Sequence, residues 1–249
     1  MFNPDTLYLY RHVPAERRLF YNRFLSFLDS GYVRELVQFR QIHAQKNGLL
    51  KSGNLSGLEA WNRLFAERSR AIMACRAAFV ETLNGWLPEL FTGLTGRPEA
   101  LRLRYQPSFK GDPGGFDEQL HQAREQEARL GYALVGPHRD DYRMGLAAAQ
   151  GAEATEARRE GQFSQGEYRG ALLALTLALE RFLEQRKGIR PIVILDDAFS
   201  ELDARVRTAA AAYLLGMTNQ IFITTTERLD PFQAAGARIL EIRAGQVVS

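Results

Sequence analysis

The chain has 249 residues, 45% of them apolar and 24% charged, with a formal net charge of +3; that balance is ordinary for a globular protein of one large or two small domains. A single cysteine, Cys75, excludes an internal disulfide, no apolar run nears the roughly 20 residues of a membrane span, and the opening MFNPDTLYLYRHVP lacks the basic and apolar regions of a secretory signal. A cytoplasmic protein without membrane contact is therefore expected, and its mild basicity permits contact with nucleic acid without demanding it.

From Pro14 to about Leu50 the apolar residues, among them Leu19, Phe24, Leu28, Tyr32, Leu36 and Phe39, recur at helical spacing and predict one long helix. Gly48 and LLKSGNLSG break the pattern. Ser56 and Glu59 then make a capping box for a second helix, whose face carries Trp61, Phe65, Ile72, Cys75, Phe79 and Leu83 until Pro88 and Gly93 stop it. Cys75, set among apolar neighbours, reads as a buried, inert thiol. The two helices read as an antiparallel arm or, equally, as two ordinary core helices. LRLRYQ (101–106) alternates as a strand, GDPGG (111–115) is a loop, Phe116 to Leu130 a helix and GYALVG (131–136) a strand. Residues 147–161 are small and polar, a surface loop. The tail alternates: helix Glu167–Arg186, strand Ile192–Leu195, helix Ala204–Leu215, strand Gln220–Thr224, strand Arg238–Ile242. That interval predicts an α/β fold, a parallel or mixed sheet with helices on it.

Chemistry concentrates in PIVILDDAFSELD (191–203), a buried-strand pattern running into two adjacent carboxylates. Asp196 is placed to hold Mg²⁺ through hard oxygen ligands, and Asp197 to orient or deprotonate an attacking water. Such a strand needs a phosphate loop of the form G-x-x-x-x-G-K-[ST], the Walker A motif, and this sequence contains none. Ser200, Glu201, Leu202 and Asp203 resemble the D-loop of ABC-type ATPases, beside the hydrolytic water at a dimer interface; Asp203 equally reads as the cap of the helix after it. In FSQGEYRG (163–170), a Ser and a Gly before a long apolar helix offer a hydroxyl, free amides and the positive dipole end, an anion site. Ser164, Gln165, Gly166 and Glu167 match the signature loop that meets the γ-phosphate of the opposite subunit in ABC-type ATPases.

Together with NPDTLYLYRHVPAERRLFYN (3–22), LVGPHRDDY (134–142) and ITTTE (223–227), these stretches resemble the RecF family of ABC/SMC-like ATPases along nearly the whole chain. V-G-P-H-R-D-D is the diagnostic piece, since ABC ATPases in general lack it. Three positions depart from the family pattern: His12 stands near a usual Gly, Glu167 replaces a usual Gln, and Val206 replaces a usual basic residue. Glu167 would weaken anion binding unless it turns outward.

The resemblance implies an incomplete ABC-type ATPase head, 1–13 and 96–249, with a mixed sheet and a helical arm, 14–95. It implies a weak ATPase using ATP and Mg²⁺, and a nucleotide-clamped homodimer on double-stranded and gapped DNA. It further implies recombinase loading with recombination mediator proteins, within DNA replication, recombination, repair and the SOS response. Thr225 and Thr226 fall where transporter ATPases place a switch histidine; Arg17, Arg18 and Arg139 are candidate DNA contacts. Arg17 and Arg18 read equally as partners of Glu16 and Asp29, and His138 reads as structural. Family members carry the phosphate loop in a segment preceding the one present here, and Met1 stands just before Phe2, where the family commonly has an aliphatic residue such as Val, so a misplaced start or a contig edge is expected over real truncation. A chain without that lobe is expected to be inactive as an ATPase, with apolar surface that favours association. The alternative is a shortened, non-enzymatic module binding DNA or a partner protein.

Overall fold

The computed structural model describes residues 13–53, 55–109, 115–147, 158–199, 202–226 and 230–248. The chain divides into two compact units. One comprises Leu9–Gly85 and Leu103–Gly145, the other Met1–Tyr8, Trp86–Arg102 and Leu146–Ser249. The helices at 14–84 thus group with residues 103–145, and Trp86–Thr95 groups with the other unit.

In the first unit the long helix expected at 14–50 is two helices, α1 (Pro14–Leu28) and α2 (Ser30–Ser52). Asp29 ends the one and caps the other: its backbone is extended and its side chain accepts from Gly31 N at 2.7 Å. A Cβ on Gly31 would lie 2.9 Å from that carboxylate oxygen, so the cap uses the glycine's missing side chain. Helix α3 (Leu58–Asn84) follows, and its expected capping box does not form. Gly57 is the N-cap with φ +78°, which leaves Ser56 outside the helix and puts Glu59 one position too early for a box. Packing of α2 on α3 buries Tyr32, Leu36, Phe39, Phe65, Ile72 and Phe79. Cys75 is half-buried, and desolvation pushes its thiol pKa up, which keeps it protonated and unreactive.

Strand β1 (Ala100–Gln106) and helix α5 (Phe116–Leu130) lie where expected; residues 111–114 of the expected loop lie outside the described residues. GYALVG is not a strand. Gly131 closes α5 in the left-handed region, and the next amides bond to side chains, Ala133 N to Asn47 Oδ1 and Leu134 N to Glu127 Oε1, both at 2.8 Å. With these amides and that of Gly136, which donates to Ser108 Oγ, taken by side chains, the segment pairs in no regular ladder. Strand β2 (Asp141–Ala147) follows; residues 148–157 lie outside the described set, and the expected loop then includes a short strand β3 (Arg158–Arg159) and a 3₁₀ turn at Glu160–Gln162. The order β1-β2-β3 makes one sheet.

The second unit is built on α6 (Gln165–Lys187), apolar nearly all round from Tyr168 to Leu179 and accordingly buried. Helix α4 (Leu87–Thr95) packs on it and on α7 (Ala204–Leu215). Strands β4 (Val193–Asp196) and β5 (Ile221–Thr224) pair in parallel. A short helix α8 (Asp230–Ala234) leads to the tail, where the strand expected at 238–242 reduces to a hairpin of β6 (Ile242–Arg243) and β7 (Gln246–Val247). Its two turn residues, Ala244 and Gly245, both have positive φ, as a tight two-residue hairpin turn requires. The result is a mixed α/β fold. No helix among the described residues is long and apolar enough to cross a membrane.

Candidate functional site

The register of β4 on β5 places Asp196 opposite Thr224. The Thr224 hydroxyl donates to Asp196 Oδ1 and accepts from Asp197 N at 3.0 Å, while Thr224 O accepts from the same amide at 3.2 Å. Asp197 turns out of the strand with φ +51°, a left-handed conformation that costs a non-glycine residue about 1–2 kcal/mol. Its carbonyl is held by Arg169 Nη1 of α6 at 3.1 Å. A strained residue held by two elements is a feature of functional sites. Both carboxylates are half-buried at the strand end, able to meet a ligand from solvent. Thr224 and Arg169 escaped the sequence reading; the Thr triplet was the available signal, and its first member, not Thr225 or Thr226, touches the carboxylates. Thr225 and Thr226 lie just beyond β5, both exposed.

Ser164 is the N-cap of α6. Its Oγ accepts from Glu167 N at 3.2 Å and its N donates to Glu167 Oε2 at 2.8 Å, a reciprocal capping box. Ser164 and Gln165 are exposed and Gly166 half-buried. Glu167 does not turn outward: it is buried against Arg97 and Arg158, whose nearest guanidinium nitrogens lie 2.7 and 2.9 Å from Oε1. The Arg158 hydrogen bonds, opposed by desolvation and aided by the Ser164 amide, hold its pKa down to about 2. Neither arginine was singled out by the sequence: Arg97 lies 70 positions from Glu167, and Arg158, nine positions away, falls in the stretch that reads as a surface loop.

Of the SELD residues, Ser200 and Glu201 lie outside the described residues, as does His12. Leu202 is buried, and Asp203 takes the capping role, accepting from Val206 N at 2.8 Å. Val206 is buried, which accounts for an apolar residue there.

In the other unit, PHRDD is a buried anchor. Arg76, 1% exposed, donates to Asp140 Oδ2 at 2.6 Å, to Pro137 O at 2.8 Å and to Asn22 Oδ1 at 3.1 Å. Tyr105 Oη also donates to Asp140, and Ser108 N reaches Asp140 Oδ1 at 2.8 Å. Arg17 is a correction to the DNA reading: at 1% exposure it forks onto Asp141 at 2.7 and 2.9 Å, out of reach of a phosphate. Burial opposes charge on Asp141, but the Arg17 bonds win and hold its pKa below the ordinary value. Half-buried Arg18 donates to Asp140 O at 2.7 Å, while Arg139 is exposed, its guanidinium 5.4 Å from the Tyr132 ring centroid. The His138 ring lies 4.2 Å from that of His43, tilted by 32°, and its Nε2 lies 3.1 Å from Ala133 O.

The donor set at the end of β4 fits magnesium in part. Mg²⁺ takes one or two carboxylates and completes its shell with water and substrate phosphates. Asp196 and the Thr224 hydroxyl are hard oxygens at one point, and no group of three or more His, Cys, Asp or Glu side chains that could hold a metal occurs among the described residues. A magnesium ion held there would need water and substrate phosphates to complete its shell.

The chain is similar to known proteins along most of its length. Residues 138–215 match the family described as SbcC/RAD50-like, Walker B motif. The chain is 36% identical over 231 residues to the DNA replication and repair protein RecF of Moorella thermoacetica, covering 91% of this chain and 60% of the relative. With that of Heliobacterium modesticaldum it is 32% identical over 260 residues, 99% of this chain and 68% of the relative. The chain thus spans roughly three-fifths of the length of most such relatives, including the 60% matched in the Herpetosiphon aurantiacus protein. Among solved structures, the recombination mediator protein RecF with ATP, from the RecFOR pathway, superposes with a TM-score of 0.73 at 23% identity over 91% of this chain and 61% of that one. The Smc head domain with an extended coiled coil from Pyrococcus furiosus gives 0.54 at 16%, over 94% of this chain and 56% of that one. These structural likenesses support an ABC-type head fold. With the sequence relationship holding along nearly its whole length, the chain belongs to the RecF family of DNA replication and repair proteins.

Proposed function

We propose that this chain is the carboxylate- and signature-loop-bearing part of a RecF-type ATPase that acts in DNA repair. The observation that carries the reading is the strand-end pair, Asp196 tied to Thr224 across a parallel ladder and Asp197 turned out of it in a strained conformation. Asp196 would hold Mg²⁺ beside nucleotide phosphates, and Asp197 would orient the attacking water. The loop Ser164–Glu167 would meet the nucleotide held by a second copy, and SELD would line the same interface. The clamped homodimer would hold double-stranded or gapped DNA and assist recombinase loading with mediator proteins. Arg139 and the half-buried Arg18 are the remaining arginine candidates for phosphate contact.

Hydrolysis on this reading needs a phosphate-binding loop, which this sequence does not contain. The β4–β5 pair supports a further lobe. Parallel sheets are ordinarily covered on both faces, yet Phe222 is 51% exposed and Ile192, just before β4, 56%. The chain alone should show no magnesium-dependent ATP hydrolysis, and the chain joined to a family phosphate-loop lobe should show hydrolysis that Asp197→Asn abolishes. Hydrolysis by the chain alone, lost on Asp197→Asn, would sink the requirement for the loop. The second reading, a non-enzymatic binding module, is favoured by one observation, the buried carboxylate of Glu167 at the signature loop. Salt-dependent DNA binding that ignores ATP even in the lobe-completed protein would decide for it.

A further inference from the structure

The register of the parallel ladder decides which side chain of β5 meets Asp196. Successive residues of a strand face opposite sides, and β4 and β5 pair Ile194 with Phe222 and Asp196 with Thr224, so Thr224 shares a face with Asp196. A slip of one residue toward the start of β5 would set Ile223 there instead. The Thr224 hydroxyl serves both acidic residues. It accepts from Asp197 N at 3.0 Å, so its own hydrogen turns the other way, onto Asp196 Oδ1. Asp197 N is shared with Thr224 O at 3.2 Å, an acceptor that any residue at 224 would supply. The hydroxyl is the part that only Thr or Ser adds. The branched side chain is stiff about χ1, which holds the oxygen in place although Thr224 is exposed. From the other side, Arg169 Nη1 holds Asp197 O at 3.1 Å.

We propose that Thr224 is a positioning residue, one hydroxyl that sets the geometry of both strand-end carboxylates. The proposal deepens, and rests on, the reading of Asp196 and Asp197 as the carboxylates of an ATPase site. On the Asp196 side, a charge-assisted bond to Oδ1 fixes the plane of the carboxylate and leaves Oδ2 outside the link, as the oxygen presented to a cation. On the Asp197 side, a second acceptor for the amide offsets the cost of the left-handed conformation, φ +51°, in which the residue leaves the strand. Loss of the hydroxyl therefore loosens both acids at once. A hydroxyl restored by Ser, without the branch, recovers them in part. Contact with both acids separates Thr224 from Thr225 and Thr226, which lie exposed beyond the strand.

The test has a spectroscopic arm and a kinetic one. In the ¹³C,¹⁵N-labelled chain, the Asp196 carboxyl carbon and the Asp197 amide and Cα resonances report the two bonds. Thr224→Val, a strand-forming residue of similar size without the hydroxyl, should shift the Asp196 and Asp197 signals together and leave that of Val193 in place. Thr224→Ser should return them toward their original positions, and Thr224→Ala repeats the loss of the hydroxyl if Thr224→Val does not fold. In the lobe-completed protein, Thr224→Val should lower kcat about 100-fold at an unchanged KM for ATP, the size of effect that misplacing a group at the reacting atoms produces, with Thr224→Ser recovering most of it. Asp196 and Asp197 signals that ignore Thr224→Val, signals or kcat that Thr224→Ser fails to restore, or a kcat that Thr224→Val leaves unchanged would overturn the proposal. The two arms also separate it from the reading on which it rests. A lobe-completed protein that hydrolyses no ATP with Thr224 in place, beside Asp196 and Asp197 signals that move with Val and return with Ser, upholds the positioning and removes the ATPase reading.

Discussion

At the scale of single residues, the chain spends its buried charge in two ways. Arg76 with Asp140 and Arg17 with Asp141 tie the PHRDD segment to the helices, and Lys46 meets Glu127 at 2.8 Å with both side chains fully buried, though without hydrogen-bond alignment. Removing one partner of such a pair strands the other, at a cost of about 3–5 kcal/mol. His138 sits among these charges as a neutral group. Burial and the neighbouring His43 push its pKa down to about 3, opposed by the bond to Ala133 O, and its Nδ1 is buried with no hydrogen-bond partner among the described residues. Arg139 and Arg18 act in the same direction as His43, and His43 is itself lowered by burial, Lys46 and Arg139. Because the folded-state pKa is depressed, the unfolded chain takes up the proton first as pH falls. The stabilisation is therefore complete above the ordinary value near 6.5 and is lost as pH falls toward 3. At pH 5 the loss from this one group is about 2 kcal/mol relative to pH 7.5. Urea midpoints at the two pH values should show the unaltered chain losing more stability than His138→Leu, whose side chain cannot titrate. Equal losses would mean that His138 protonates without penalty.

Among the elements, α4 and α6 approach closely at Gly170. A Cβ on Gly170 would lie 2.6 Å from Thr95 Cγ2, so the two helices meet where one has no side chain. Thr95 spends its hydroxyl on Phe91 O at 2.7 Å, leaving its methyl toward α6. Gly170→Val should destabilise the chain by about 1–3 kcal/mol through overpacking. Thr95→Ser, which removes the methyl and keeps the hydroxyl, should recover part of that loss in the double variant. A denaturation cycle over the four proteins measures the coupling, and strict additivity would place the strain elsewhere. The helices at 116–130 and 204–215 were legible in the sequence to the residue, because each has a clear periodic face and an identifiable stop. The division at Asp29 was not, since the apolar period runs on through it while a single carboxylate redirects the backbone. GYALVG reads as a strand by composition, but Asn47 and Glu127, distant in sequence or on another element, claim its amides. The site divides in the same way. Asp196, Asp197 and Ser164 belong to compact local patterns, whereas Thr224, Arg97 and Arg158 gain their roles from pairing between residues as many as 70 positions apart.

For the whole molecule the imbalance lies in what the second unit leaves uncovered. A two-stranded parallel ladder is an uncommon thing to leave in water, since parallel sheets are stable when both faces are packed. Here Ile192 and Phe222 are more than half exposed beside β4 and on β5, and the tail adds Ile239, Leu240, Ile242, Val247 and Val248, each above 50%. Burying even one such side chain is worth about 1.5–3 kcal/mol, so several together supply a drive to find cover. In a longer family member, on the function proposed above, a phosphate-loop lobe would provide it; in the chain taken alone, another copy is the cover available. Light scattering should therefore report a mass above 28.1 kDa that rises with concentration. Because this association is hydrophobic, added salt should not dissolve it, which separates it from pairing through charged side chains. The double substitution Ile192→Ser, Phe222→Ser should return the chain toward monomer, with little loss of fold because both side chains already face solvent. A monodisperse monomer for the unaltered chain at high concentration would show that these apolar rows need no cover, and would take with it the structural argument for a completing lobe.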